Sequence, residues 1–241
     1  MSIFLSILLV LAFSGKVIPQ SEVSAEFVGD KIEFRIDGNL FTSYIISEFE
    51  KYPFFFPVNG PSGAGVTSMR NSNYPHHSSL FFGCDKVNGG NYWQEGPERG
   101  QIISVRADII ETGGKKAIVE NECIWTRPGA DAPIKDKRKI TVSAVAQDKF
   151  YLDFDIVLEM LMDVTIEKNN HSLLSVRMDP DLCVINGGTM VNAEGDLNEE
   201  GTFGTPSPWI DYHGKRFGGI EGIAILQHPS SDWFQIGRAH V

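Results

Sequence analysis

The chain has 241 residues, 42% of them hydrophobic and 22% charged, which supplies one large domain with a core of its own. Its formal net charge of −10 argues against nucleic acid as a partner, because such binders gain affinity by neutralising phosphates with clustered Lys and Arg.

The first predicted element is the apolar run IFLSILLVLAF at residues 3–13, which has signal-peptide length and is too short to cross a bilayer. Ala12 and Ser14 occupy the small-residue positions before a cleavage point after Ser14. We therefore expect residues 1–14 to be a signal peptide and the protein to be secreted or periplasmic. A retained N-terminal anchor is the alternative, since the residues ahead of the run bring no Lys or Arg. No later segment is apolar for long enough to span a membrane.

Beyond it, alternation with a period of two dominates. KIEFRID (31–37) sets Ile32, Phe34 and Ile36 against Lys31, Glu33, Arg35 and Asp37. QIISVRADII (101–110) and KKAIVENECIW (115–125) are joined by ETGGK, a Gly-Gly hairpin signal. RKITVSAVAQ (138–147) turns Ile140, Val142, Ala144 and Ala146 to one side, and KFYLDFDIVLEML (149–161) does so with Phe150, Leu152, Phe154, Ile156 and Leu158. EGIAILQH (221–228) follows the turn KRFGG. Helical spacing is scarce, and 24 glycines and 12 prolines punctuate the strands. The expected fold is all-β, a large antiparallel β-sandwich formed by residues 15–235 as one domain. The basic cluster Lys135, Lys137, Arg138 and Lys139 reads as a solvated strand end. Cys84, Cys123 and Cys183 match no zinc pattern; either one pair bridges or all three are small buried hydrophobes.

Chemistry-bearing side chains concentrate in three loop-rich stretches. In YPHHSSLFFGCDKVNGGNYW (74–93), His76 and His77 are adjacent and face opposite ways on an extended chain, so a shared metal is awkward. One of them pointing into a pocket as acid or base, or both packed as hydrogen-bonded core residues, are the remaining options. NGGTMVNAEGDLNEEGTFGTPSPWIDYHG (186–214) places Trp209 among Asn192, Glu194, Asp211, Tyr212 and His213. An indole beside polar acceptors suits a sugar, whose C–H face stacks while its hydroxyls find partners. In LQHPSSDWF (226–234), His228 ends a strand.

The ordered series PHHSSLFFG, DKVNGGNYW, the Glu122–Trp125–Arg138 set, NAEG with PWIDYHG, and GIAILQHP resembles a bacterial PmoA-like family labelled methane oxygenase, over residues 50–234. A methane monooxygenase subunit of that name is an integral membrane protein, and this chain has no spanning segment after its first residues, so the label is not taken as an activity. The resemblance implies a sandwich of the galactose-mutarotase type and work on carbohydrates. Acid–base chemistry of the epimerase, mutarotase or lyase kind would use His76 or His77 as acid and His228 or Glu194 as base, with Asp211 orienting a histidine. Asp85, Asn88, Trp93, Arg138, Asn192, Trp209 and Tyr212 would bind the small-molecule or glycan substrate. Ser78 and Cys84 depart from the family pattern of Arg and His, which counts against a metal cluster or anion clamp at that loop. The alternatives are a non-catalytic carbohydrate-binding module built on Trp93, Trp209 and Tyr212, and a metal-dependent oxygenase using His76, His77 and a carboxylate. No cofactor and no resident metal are assigned. Finally, IGRAHV at 236–241 resembles translated sequencing adapter, so we expect a non-native tail in place of a missing C-terminal segment.

Overall fold

Period-two alternation organises nearly all of the regular structure. A computed structural model describes residues 21–71, 74–94, 96–168 and 172–229; the expected signal peptide and the C-terminal tail lie outside them. In chain order the strands are β1 (Val23–Val28), β2 (Lys31–Ile36), β3 (Asn39–Ile45), β4 (Phe54–Val58), β5 (Met69–Asn71), β6 (Tyr74–Ser78), β7 (Leu80–Cys84), β8 (Gln101–Glu111), β9 (Lys116–Thr126), β10 (Ile134–Ala146), β11 (Lys149–Met160), β12 (Ser172–Val176), β13 (Thr189–Asn192), β14 (Trp209–Arg216) and β15 (Gly219–Leu226). One five-residue helix, α1 (Asn198–Thr202), lies between β13 and β14. Among the described residues no helix is long and apolar enough to cross a membrane.

Two antiparallel sheets form the expected sandwich. The first has the order β1-β2-β3-β4-β7-β12 and the second β11-β10-β9-β8. Ile32, Phe34, Ile36, Tyr44 and Phe55 of the first sheet share a core with Val119, Ile140 and Val142 of the second. Each such side chain stabilises the fold by roughly 1.5–3 kcal/mol relative to exposure. A second core gathers Phe81, Phe82, Tyr92 and Trp93 against Cys123, Trp125 and Ile134. The ETGGK hairpin joins β8 to β9 as expected, with Gly113 at φ 77, a left-handed conformation that glycine adopts without a side-chain clash. Phe150, Leu152, Phe154, Ile156 and Leu158 of β11 point inward as predicted, but all stay half-exposed because β11 is a sheet edge.

The basic cluster is not a uniformly solvated strand end. β10 begins at Ile134, four residues before the predicted start, and alternation turns Lys135, Lys137 and Lys139 outward while Asp136 and Arg138 enter the core. Outside, Lys135 pairs with Glu122 at 2.6 Å, and Lys139 sits between Glu120 of β9 and Asp155 of β11, a cross-strand charge ladder. Inside, Arg138 Nε and Nη2 donate to the two Asp136 oxygens at 2.7 and 3.0 Å. Trp125 Nε1 donates to Asp136 Oδ2 at 2.7 Å. Arg138 Nη1 donates to Tyr44 Oη at 3.3 Å, and Tyr44 Oη donates in turn to Asn121 Oδ1 at 2.9 Å. A buried pair persists only when its remaining donors and acceptors are met, and here the two sheets meet them.

The three cysteines are free thiols and buried. Desolvation pushes the Cys84 and Cys123 thiols up to about 12, so both behave as small hydrophobes on strands.

Candidate functional site

The two adjacent histidines stand on β6, which among the described residues pairs with β5 in a two-stranded ribbon whose register shifts between Met69 and Asn71. Two-stranded ribbons twist more strongly than wide sheets, and Ser79 at φ 60 ends this one abruptly. The expectation that the two rings face opposite ways is corrected: their centroids are 4.5 Å apart in an edge-to-face arrangement. Both also approach the Trp93 indole, His77 at 5.7 Å and His76 at 6.0 Å. His77 is buried, whereas His76 lines a cleft of about 200 Å³ together with Glu50, Lys51, Tyr52, Arg70 and Trp93. Trp93 does not offer the stacking face expected of it. It is 6% exposed, packs on Phe81 at 5.4 Å and donates its Nε1–H to Ser175 Oγ at 2.9 Å.

Several residues expected to bind substrate hold the fold instead. Arg138 is 1% exposed between the sheets and reaches no surface. Asn88, at φ 48, accepts from Thr165 N at 2.7 Å and donates to Asp163 O at 3.0 Å, so its amide pins the loop after β7. Asp85 Oδ1 accepts from the neighbouring Lys86 N at 2.7 Å. Asn192 is 1% exposed, and its Oδ1 accepts from Glu194 N at 3.1 Å and Asp196 N at 2.8 Å, which closes the turn leaving β13.

The remaining candidates lie on or beside a third antiparallel sheet, ordered β13-β14-β15. Along β14 the buried Ile210 and Gly214 and the core-packed Tyr212 face inward. Tyr212 Oη accepts from Val184 N at 3.2 Å, and the ring packs against the core of the sandwich, which turns it away from the outer face where a sugar was expected to meet it. Trp209, Asp211 and His213 therefore share the outer face. Trp209 is 36% exposed. His213 Nδ1 lies 3.1 Å from Asp211 Oδ1, with the two side chains 28% and 38% exposed. Among the described residues nothing is bonded to His213 Nε2.

The floor around this pair is low. Asp211 stands opposite Ala224 and His213 opposite Gly222 on β15, with Thr189 across from His213 on β13. A Cβ at Gly222 would fall 2.1 Å from Tyr212 O and 2.6 Å from His213 Cα, so this approach of the two strands is open to glycine alone. His213 is not among the residues to which the sequence assigns a role. The signal that would have found it is the Trp-x-Asp-x-His spacing, which puts all three on one face of any strand.

The expected pairing of His76 or His77 with His228 or Glu194 is not assembled in the cleft, whose lining includes none of Glu194, Asp211 and His228. Glu194 is exposed in the turn after β13, and His228 is exposed two residues beyond β15. Among the described residues no three His, Cys, Asp or Glu side chains converge as a metal site would need.

No curated protein and no solved structure matches the chain. A family model does match, over residues 31–241, and the chain belongs to that family, DUF6807, a family of unknown function.

Proposed function

We propose that the outer face of β14 carries out acid–base chemistry on a carbohydrate, in a secreted or periplasmic protein. The observation that supports this is the Asp211–His213 pair at 3.1 Å beside an exposed indole on the same strand face. A carboxylate that accepts the Nδ1–H fixes the imidazole tautomer and leaves Nε2 as the proton acceptor. Asp211 then stabilises the imidazolium formed when Nε2 takes a proton from a ring hydroxyl or an acidic C–H, and the same nitrogen returns that proton to the product. Trp209 supplies the flat apolar partner for a sugar ring.

The test is turnover across a panel of aldoses and keto-sugars, followed as proton exchange or anomer interconversion. Replacing His213 with Ala should lower turnover by about 10²–10⁴-fold with binding kept, and Trp209→Ala should weaken binding. Full turnover in the His213→Ala protein would end this reading.

The non-catalytic module remains the second reading, favoured by one observation: the face is an open sheet surface rather than an enclosed site. Binding lost in Trp209→Ala, with no turnover by the native chain, is the outcome that selects it. The metal-dependent oxygenase reading needs a third ligand beside His76 and His77 from outside the described residues.

A further inference from the structure

Among the described residues the three wide sheets have six edge strands: β1 and β12, β8 and β11, β13 and β15. An unpaired edge offers its N–H and C=O groups to another chain, and folded proteins discourage this with charges, breaks in register, short strands or cover. Five of the six edges do so. Thr112 Oγ1 and Gly114 cover β1 at Ala25 and Val23. β8 carries Arg106, Asp108 and Glu111 and slips twice against β9. β11 turns Lys149, Asp153, Asp155 and Glu159 outward. β12 is five residues long with Leu173 at φ 65, and β13 is four residues long with Leu197 bridged to Val191.

β15 has none of these devices. Its sequence GIEGIAIL runs for eight residues in unbroken register with β14. The one charged side chain, Glu221, turns inward, where its carboxylate accepts from Ser62 N and Ser62 Oγ, both at 3.0 Å, and lies 3.8 Å from Arg216 Nη1. The strand therefore brings no unbalanced charge to its edge, although the chain as a whole carries −10, and a second acidic copy meets no like charge along it. Gln227 N donates to Pro208 O on the β14 side. Alternation then aims the N–H and C=O groups of Ile220, Gly222, Ala224 and Leu226 at the open edge, where no described strand meets them. The side chains of these four residues stand on the exposed outer face, with Ile220 71% and Leu226 67% exposed.

This pattern is complementary to itself. Ile220 and Leu226 each lie three residues from Ile223. A two-fold axis at Ile223 pairs two antiparallel copies of the strand so that Ile220 of each faces Leu226 of the other, and Gly222 of each faces Ala224 of the other. All four residues whose backbone groups point to the open edge then have partners. We propose that β15 is a dimer interface, in which two copies of the chain join edge to edge about Ile223 and the two three-stranded sheets become one sheet of six strands. The proposal does not rest on the acid–base reading of the β14 face.

The test is sedimentation velocity on the full chain across a hundredfold range of concentration. Monomer should convert to dimer within that range, because an edge of this length gives an interface at the small end of stable contacts. Ile220→Lys and Leu226→Glu, both at exposed positions, should each move the dimerisation midpoint tenfold or more to higher concentration, with the far-UV circular dichroism unchanged. The chain carrying both substitutions should return to within a few-fold of the native midpoint. The new charges meet across the axis, whereas within one chain the two positions are roughly 20 Å apart. A native chain that stays monomeric throughout, a dimer indifferent to both single substitutions, or a double variant no better than the single ones would each overturn the proposal.

Discussion

Strands β10 and β14 carry the same device in opposite settings. Each places a carboxylate two residues before a cationic or titratable side chain on one face, Asp136 with Arg138 and Asp211 with His213. On β10 both sheets close over the pair, its side chains have no exposure, and Trp125 and Tyr44 complete its hydrogen bonds. On β14 the pair stays partly open to water, with His213 28% and Asp211 38% exposed, on the strand face it shares with the exposed Trp209. Spacing alone makes the pair; coverage decides whether it is sealed from water or open to it. A third copy of the spacing, on β2, lies between these extremes: Glu33 is flanked by Lys31 at 2.7 Å and Arg35 at 2.5 Å.

The contrast can be broken most sharply by removing one partner in each setting. Arg138→Ala leaves a buried, uncompensated Asp136 and should cost about 3–5 kcal/mol. Asp211→Asn exposes nothing new and should cost less than about 1 kcal/mol while reducing turnover. Urea midpoints measured on both variants decide this, and equal losses would show that coverage is not what separates the two pairs.

A middle-sized effect concerns the space beside His213. Gly222→Ala forces a methyl into the Tyr212 carbonyl and should destabilise by about 1–3 kcal/mol. Gly219→Ala, on the same strand with its nearest contact at 3.8 Å, should be close to neutral. Similar thermal midpoints for the two variants would remove the argument that the β14 face depends on this close approach.

The smallest effect belongs to β2. The hydrogen bond from Lys31, then that from Arg35 and both positive charges, hold the Glu33 carboxyl below its ordinary 4.5, against partial burial that acts to raise it. A carboxyl lowered in the folded state stabilises the protein above its unfolded value. That contribution is lost as pH falls through 4.5 toward the lowered value. The acid-induced drop in thermal midpoint should therefore be shallower in Glu33→Gln than in the native chain, and parallel curves would show that the flanking cations contribute nothing.

Where a prediction rested on neighbours along the chain, it carried into the structure. The β2, β9 and β11 stretches alternate because one face of each meets a sheet, and ETGGK turns because glycine tolerates the left-handed backbone there. Where it rested on which face would be covered, it did not. Arg138, Asn88, Asn192 and Tyr212 look like binding residues in a list of polar and aromatic side chains, yet each is bonded to a partner 28 or more positions away or within its own turn. His76 and His77 broke the alternation rule because a narrow ribbon twists and slips in register where a wide sheet does not.

By itself, then, the sequence determined the all-β class, the main strands and their inward faces, and the spacing of the acid–base pairs. These follow from the two-residue repeat of an extended backbone and from turn chemistry, both local. Only the tertiary structure decided that Asp136–Arg138 is sealed between sheets, that His76 rather than His77 meets a cleft, and that His213 rather than His228 is held by Asp211. Those outcomes depend on which distant strand packs on which face, and no local pattern along one strand encodes that.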